Sequence, residues 1–146
     1  MLEQVKGKSV YFDTNPFIYF VEGHEIFFDA VKPLFEMIDR DEITACTGEL
    51  TLTELLIKPY RDGAHDIVAE YEGLLLHSGH FSVFGLSMAT FLKAAKIGGE
   101  TLMRTPDALH MATALENNCD FFVTNDKRIR SYQGVTVIQV LDLLST

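Results

Sequence analysis

Ser9-Val10-Tyr11-Phe12-Asp13-Thr14-Asn15-Pro16 passes from an apolar run to an acid, a capping residue and a proline. Ser9 to Asp13 reads as a short buried strand, bounded by Gly7 on one side and Asn15-Pro16 on the other. Proline is suited to the first turn of a helix, so Pro16 opens one there with Asn15 as its cap, and Phe17 to Val21 forms it. A strand running directly into a helix is the first half of a βαβ unit, and the rest of the chain repeats the alternation. Further strands are expected at Ile43 to Thr47, Phe81 to Phe84, Asp120 to Val123 and Val135 to Ile138.

The segments between them carry helical periodicity. His24 to Arg40 places Phe27, Val31, Leu34, Phe35 and Ile38 on one side, with a kink expected at Pro33. Gly48 to Ile57 is expected to end near Lys58-Pro59, because a residue before proline disfavours the α region. Ala64 to His77 and Ser87 to Ile97 follow, the latter stopping at Gly98-Gly99. Thr105 is the expected cap of a helix to Asn117, with Pro106 in its first position. A helical turn is expected at Lys127 to Tyr132 and a last helix at Val140 to Leu144. Strands separated by helices give an α/β fold, a mainly parallel sheet with helices on both faces. No repeat, low-complexity tract or linker interrupts it, so one domain over residues 1–146 is the expectation.

Composition narrows the function classes. Hydrophobic residues make up 47% and charged residues 23%, as in ordinary soluble globular proteins. Apolar runs such as Phe17 to Val21 are too short to span a bilayer, and no apolar segment follows Lys6 and Lys8 as a secretory signal requires. Cys46 and Cys119 lack metal-binding spacing, do not make a disulfide framework, and fit a reducing cytoplasm. A net charge of −9 argues against a general nucleic-acid binder. Two observations soften that: basic residues stand beside acids, at Arg104 and at Lys127, Arg128 and Arg130, and a bound cation would offset part of the negative charge.

The acids of interest are Asp13, Glu54, Asp107 and Asp126. Ligands in open parallel sheets bind at the carboxyl ends of strands where strand order reverses. Asp13 and Asp126 follow two buried strands, and Asp107 lies in the first turn of a helix that leads back into the fourth strand. If the two strands are neighbours, these three acids reach one edge. Asp107 shares a helical stripe with Met111 and Ala114, which points it inward. Glu54 lies beside Leu50 and Ile57 at the margin of an apolar arc, and its mid-helix position leaves open whether it reaches that edge. Each acid also has a local reading: Asp13 as a helix cap, Asp107 as a dipole-favoured first-turn acid, Asp126 as a turn residue, Glu54 as a border glutamate. Gathered carboxylates repel one another unless a cation joins them, and an all-oxygen set suits Mg²⁺ or Mn²⁺. That makes the chain a candidate metal-dependent enzyme acting on phosphate esters.

In order along the chain, Tyr11-Phe12-Asp13-Thr14-Asn15, Thr53-Glu54-Leu55, Thr105-Pro106-Asp107-Ala108-Leu109-His110 with Ala112-Thr113-Ala114, and Phe122-Val123-Thr124-Asn125-Asp126 resemble the PIN-domain family of metal-dependent ribonucleases. That family includes the toxins of VapBC-type toxin–antitoxin pairs. The resemblance runs from about Val10 to Val140. It implies a PIN-like three-layer α/β/α fold with a five-stranded, mainly parallel sheet, and an acidic pocket for one or two Mg²⁺ or Mn²⁺ ions. Asp13, Glu54, Asp107 and Asp126 would be the pocket acids. Asn15, Thr53, Thr124 and Asn125 fall where polar neighbours order the family's site. Many members carry a further acid beyond the fourth, where this chain has Lys127, Arg128 and Arg130. The resemblance further implies an RNA substrate, a homodimer, and a groove for an antitoxin helix.

The chemistry that follows is phosphodiester hydrolysis by in-line attack of water. Asp13 and Asp107 are the expected direct ligands. Asp126 and Glu54 bind the ion directly or through water, or orient the attacking water. Arg104, Lys127 and Arg128 are candidate contacts to the RNA backbone. His110, one turn after Asp107, reads either as a packed helix residue or as a proton shuttle. Competing readings are an aspartate-based phosphatase, which needs an acid at position 15 where this chain has Asn, and a receiver domain, which needs an early acidic pair. A housekeeping RNA-processing nuclease and a non-catalytic module of the same fold complete the alternatives.

Overall fold

Alternation along the central strand divides the core in two. The computed structural model describes residues 2–144; Met1 and residues 145–146, the ends of the expected domain, lie outside them. The elements are β1 (Ser9–Phe12), α1 (Thr14–Val21), α2 (Phe28–Asp39), β2 (Thr44–Gly48), α3 (Glu49–Arg61), α4 (His65–Glu72), β3 (Phe81–Phe84), α5 (Met88–Glu100), α6 (Thr105–Glu116), β4 (Phe121–Thr124), β5 (Thr136–Gln139) and α7 (Val140–Leu143). Val10 and Phe12 of β1, with Val123 of β4, pack into a cluster with Phe17, Val31, Leu34, Phe35, Leu55 and Val140. Tyr11, pointing to the opposite face, joins Phe122, Cys46, Ile97, Met111 and Ala112. Helices therefore cover both faces, and the strands are apolar on both sides because neither faces water.

The sheet has five strands in the order β3-β2-β1-β4-β5. Every pairing between them is parallel. From β1 the chain steps outward to β2 and β3, then crosses through α5 and α6 to the other side of β1 and lays down β4 and β5. Strand order thus reverses between β1 and β4, whose register pairs Phe12 with Val123. The carboxyl ends of those two strands form the crevice in which such sheets place their ligands.

Strand positions match the sequence reading to within a residue at either end, but several helix limits do not. Asp13, not Asn15, caps α1, accepting the Thr14 N–H at Oδ1 (2.7 Å). Arg104 stands at the cap position of α6, so Thr105 and Pro106 are its first two residues. α2 begins at Phe28 because His24 Nδ1 accepts the N–H groups of Ile26 and Phe27, both at 3.1 Å, and holds residues 24–27 in a turn. Pro33 lies inside α2 and Pro59 inside α3, which continues to Arg61. Each proline removes one helical N–H, and Pro59 is buried, so packing outweighs the local preference of the residue before it.

α5 also runs through Gly98-Gly99 to Glu100. Each glycine costs about 1 kcal/mol relative to alanine. Burial of Ile97 against α6 and the Thr101 hydroxyl on the Ile97 carbonyl (2.7 Å) hold this turn in place. The expected helix from Ala64 changes to a π-helical turn at Gly73–His77. Residues 127–132 form no helix. The Gln139 amide takes the Asp126 carbonyl at 3.0 Å and the Ile129 carbonyl at 3.4 Å, acceptors that a helix would need. Cys46 and Cys119 are free, buried thiols with their sulfurs 2.9 Å apart.

Candidate active site

The end of β1 delivers Asp13 to the crevice, and capping of α1 fixes its orientation. One carboxylate oxygen accepts the Thr14 N–H, and the other accepts the Thr124 hydroxyl at the end of β4 (2.7 Å). Cap and site acid are therefore one residue. Thr124 Oγ1 in turn accepts the Asp126 N–H at 3.1 Å, so β4 positions both Asp13 and Asp126.

Glu54 reaches the same place from α3. Its Oε1 accepts the Thr14 hydroxyl at 2.7 Å and pairs with His110 Nε2 at 2.6 Å. His110 comes from α6, is 1% exposed, and places Nε2 3.7 Å from Asp13 Oδ1. Its Nδ1 meets the Tyr11 hydroxyl at 2.7 Å. Ligand atoms of Asp13, Glu54 and His110 all lie within 4.8 Å of one another. Sequence reading weighed His110 mainly as a packed residue; the structure makes it both packed and a partner of the acids. The available signal was its spacing of three from Asp107, which puts both on one helical face.

Asp107 is buried on α6, and its Oδ2 has no hydrogen-bond partner. Arg104 Nε lies 3.5 Å from that oxygen, a charge contact without hydrogen-bond geometry. Asp126 differs: Oδ1 accepts the Arg128 N–H (2.9 Å) and Nε (3.0 Å), and Oδ2 accepts Nη2 (2.8 Å). Arg104 Nη2 adds a longer contact at 3.8 Å.

Other expected site residues separate. Asn15 Oδ1 accepts the Asn125 N–H at 3.1 Å, and the Asn125 amide donates to Tyr19 (3.0 Å) and accepts the Leu141 N–H (3.1 Å). These two asparagines tie α1, the end of β4 and α7 together at the rim. Thr53 is exposed on α3; the hydroxyl bonded to Glu54 is that of Thr14. Family position pointed to Thr53, but its side chain leaves the helix one residue away from the face that Glu54 uses. Arg104 and Arg128 face the acids, and Lys127 is exposed.

Electrostatics follow this geometry. Burial raises the Asp107 carboxyl above its ordinary value, and the charges of Asp126 and Asp13 add to that. Burial also pushes Glu54 up, but the hydrogen bond and charge of His110, with Thr14 and Arg104, bring it below its ordinary value. For His110 burial favours the neutral ring, yet the Glu54 bond and the charges of Asp13, Glu54 and Asp107 together raise it. Arg128 holds Asp126 low. The result is a site with an unsatisfied buried carboxylate oxygen beside further acids, which is the arrangement a cation relieves. Its carboxylate oxygens suit Mg²⁺ or Mn²⁺, whereas both nitrogens of His110 are taken, Nδ1 by Tyr11 and Nε2 by Glu54. Asp13, Asp107 and Glu54 fit such an ion, with His110 holding Glu54 in place.

Solved structures share this architecture. A toxin–antitoxin complex from Klebsiella pneumoniae is 20% identical, with a TM-score of 0.67 over 87% of this chain and 95% of that one. DNA-bound VapBC from Salmonella typhimurium is 17% identical, with a TM-score of 0.70 over 91% of this chain and 98% of that one. The sarcin–ricin loop cleaving toxin VapC20 of Mycobacterium tuberculosis is 14% identical, with a TM-score of 0.63 over 77% of this chain and 86% of that one. At such identities the likeness is one of fold. No curated protein sequence matches significantly. The PIN domain profile, however, matches residues 10–135, a span that opens on β1 before Asp13 and closes beyond Asp126. By that match, the chain belongs to the PIN domain family.

Proposed function

We propose that this chain is a Mg²⁺- or Mn²⁺-dependent endoribonuclease and the toxin of a toxin–antitoxin pair. The observation that carries the nuclease reading is the convergence of Asp13, Glu54, Asp107 and Asp126 at the strand-order reversal, with Asp107 Oδ2 buried and without a hydrogen bond. A bound divalent ion supplies charge for a phosphate oxygen and a lowered pKa for attacking water.

The chain's own residues do the rest. Asp13 and Asp107 hold the ion. Thr124 and Thr14 keep the Asp13 carboxylate in one orientation. Glu54 is fixed through Oε1 by Thr14 and His110, leaving its other oxygen to orient water. Asp126 aligns the edge of the site beside Arg128, and Arg104, Lys127 and Arg128 offer positive charge to the RNA backbone. The aspartate-phosphatase reading loses support because position 15, where its second acid belongs, is an asparagine bound to the Asn125 backbone.

The toxin role, residence in the cytoplasm, and a single domain over 1–146 belong to the same proposal. The fold shared with toxins of VapBC pairs supports it. So does a largely apolar cleft lined by Phe20, Phe35, Ile38, Leu74 and Phe81 together with Glu36, Asp39 and His80, which suits the apolar face of an antitoxin helix with polar residues beside it. Exposed Met88, Phe91 and Leu92 on α5 offer a homodimer surface. Among the described residues, no helix is long and apolar enough to cross a membrane.

The test is cleavage of RNA in Mg²⁺ or Mn²⁺, with and without EDTA, beside Asp13→Asn and Asp107→Asn. Cleavage lost in EDTA and reduced at least about 100-fold in both variants supports the reading. Equal cleavage by wild type and variants overturns it. Growth arrest on expression, relieved by a co-expressed antitoxin, supports the toxin role; an active protein without toxicity assigns it to RNA processing instead.

A further inference from the structure

Asp126 is engaged by the protein itself. Arg128 grips both of its oxygens, Nε on Oδ1 at 3.0 Å and Nη2 on Oδ2 at 2.8 Å, while its own backbone N–H adds a bond to Oδ1 at 2.9 Å. The turn closed by the Ile129 N–H on the Asp126 carbonyl (3.1 Å) makes this grip local to the chain. Arg104 stands between Asp126 and Asp107, at 3.8 Å from one and 3.5 Å from the other. The tight trio of Asp13, Glu54 and His110 includes neither Asp126 nor Asp107, but of those two only Asp126 has both oxygens gripped by a guanidinium.

Resting on the metal-dependent reading above, we infer that the site takes a single divalent ion, and that Arg128, braced by Arg104, neutralises Asp126 in place of a second one. Three arguments carry this. A guanidinium keeps its charge at any working pH and matches a carboxylate with two parallel bonds, so an incoming ion meets a carboxylate already held by a bidentate, charge-assisted pair and is repelled by its charge. The local charge agrees: Arg104 and Arg128 already set two positive charges against Asp107 and Asp126, so a second divalent ion there would overshoot. Finally, Arg128 is half exposed, with 55% of its side chain accessible, so its outer edge remains open to a substrate phosphate while its inner edge holds Asp126.

Mn²⁺ stoichiometry tests the inference, read by native mass spectrometry and by calorimetric titration. Wild type should take one ion per chain. Arg128→Gln, and the double variant Arg104→Gln with Arg128→Gln, should take a second, weaker ion, with circular dichroism confirming that each is folded. Two ions in wild type, or still one in the folded double variant, overturns the inference while leaving the metal reading intact. No ion in wild type overturns the metal reading itself. Wild-type stoichiometry decides the matter should the variants fail to fold.

Discussion

His110 Nε2 and Glu54 Oε1 meet at 2.6 Å, joining a buried residue of α6 to a partly buried one of α3. Glu54 lies below its ordinary 4.5 and His110 above its ordinary 6.5, so the folded protein favours the ionised pair. For His110, a folded value above the unfolded one means stabilisation that is full below 6.5 and lost as pH rises through the folded value. For Glu54, a folded value below the unfolded one means stabilisation present above 4.5 and lost as pH falls through the folded value. Metal-free wild type should therefore have its largest stability advantage over His110→Asn between pH 4.5 and 6.5, shrinking on either side. Thermal unfolding of both proteins across pH 4 to 9 in EDTA measures it; parallel curves contradict the pairing.

Asp107 makes a prediction of opposite sign. Its carboxyl is raised above 3.8 by burial and by Asp126 and Asp13, so the charged form destabilises the metal-free fold at neutral pH. Asp107→Asn should stabilise the metal-free protein by about 1 kcal/mol, because burial and the repulsion of Asp126 and Asp13 outweigh the attraction of Arg104 and Arg128. In saturating Mn²⁺ the order should reverse, since wild type gains binding energy that the variant lacks. Urea denaturation with and without Mn²⁺ reads both halves. A variant less stable than wild type in EDTA would show that Asp107 is not strained by its neighbours.

Tyr11 links the core to the site, and Gly48 makes room for it. A Cβ at position 48 would stand 2.9 Å from the Tyr11 hydroxyl, which is itself held at 2.7 Å from His110 Nδ1. The backbone of Gly48 is extended, so the constraint is steric. Gly48→Ala should cost about 1–3 kcal/mol through overpacking. Tyr11→Phe should cost a similar amount, about 1–3 kcal/mol, by stranding a buried ring nitrogen. Together they should cost less than the sum, because removing the hydroxyl opens the space that the methyl needs. A double-mutant cycle by chemical denaturation checks this; strict additivity would mean that the two positions do not compete.

Much of this arrangement is legible in the amino-acid sequence. The alternation Val10-Tyr11-Phe12 and the acid after it specify a buried strand ending at a crevice, and Asp126 repeats the pattern after Phe122-Val123. Asp107 was placed inward by helical phase, and it is buried. Glu54 could not be placed in the same way. Its position depends on Thr14 and His110, which are 40 and 56 residues away in sequence, and no local pattern encodes such contacts. Thr53 illustrates the converse, because adjacency in sequence put it beside Glu54 while the helix turned it to solvent. Arg128 was readable as a charge near Asp126, but not as a fork on both of its oxygens. Helix limits at Pro59 and Gly98-Gly99 failed because tertiary packing outweighed local propensity.

The central claim is that these acids hold a catalytic divalent ion. Diffraction from crystals soaked in Mn²⁺, measured for anomalous signal, tests it most directly. The account predicts one strong peak per chain within about 2.0–2.6 Å of carboxylate oxygens of Asp13 and Asp107, beside Glu54 and His110. Soaked crystals with no peak at Asp13 or Asp107, or with manganese only at surface acids elsewhere, would contradict it.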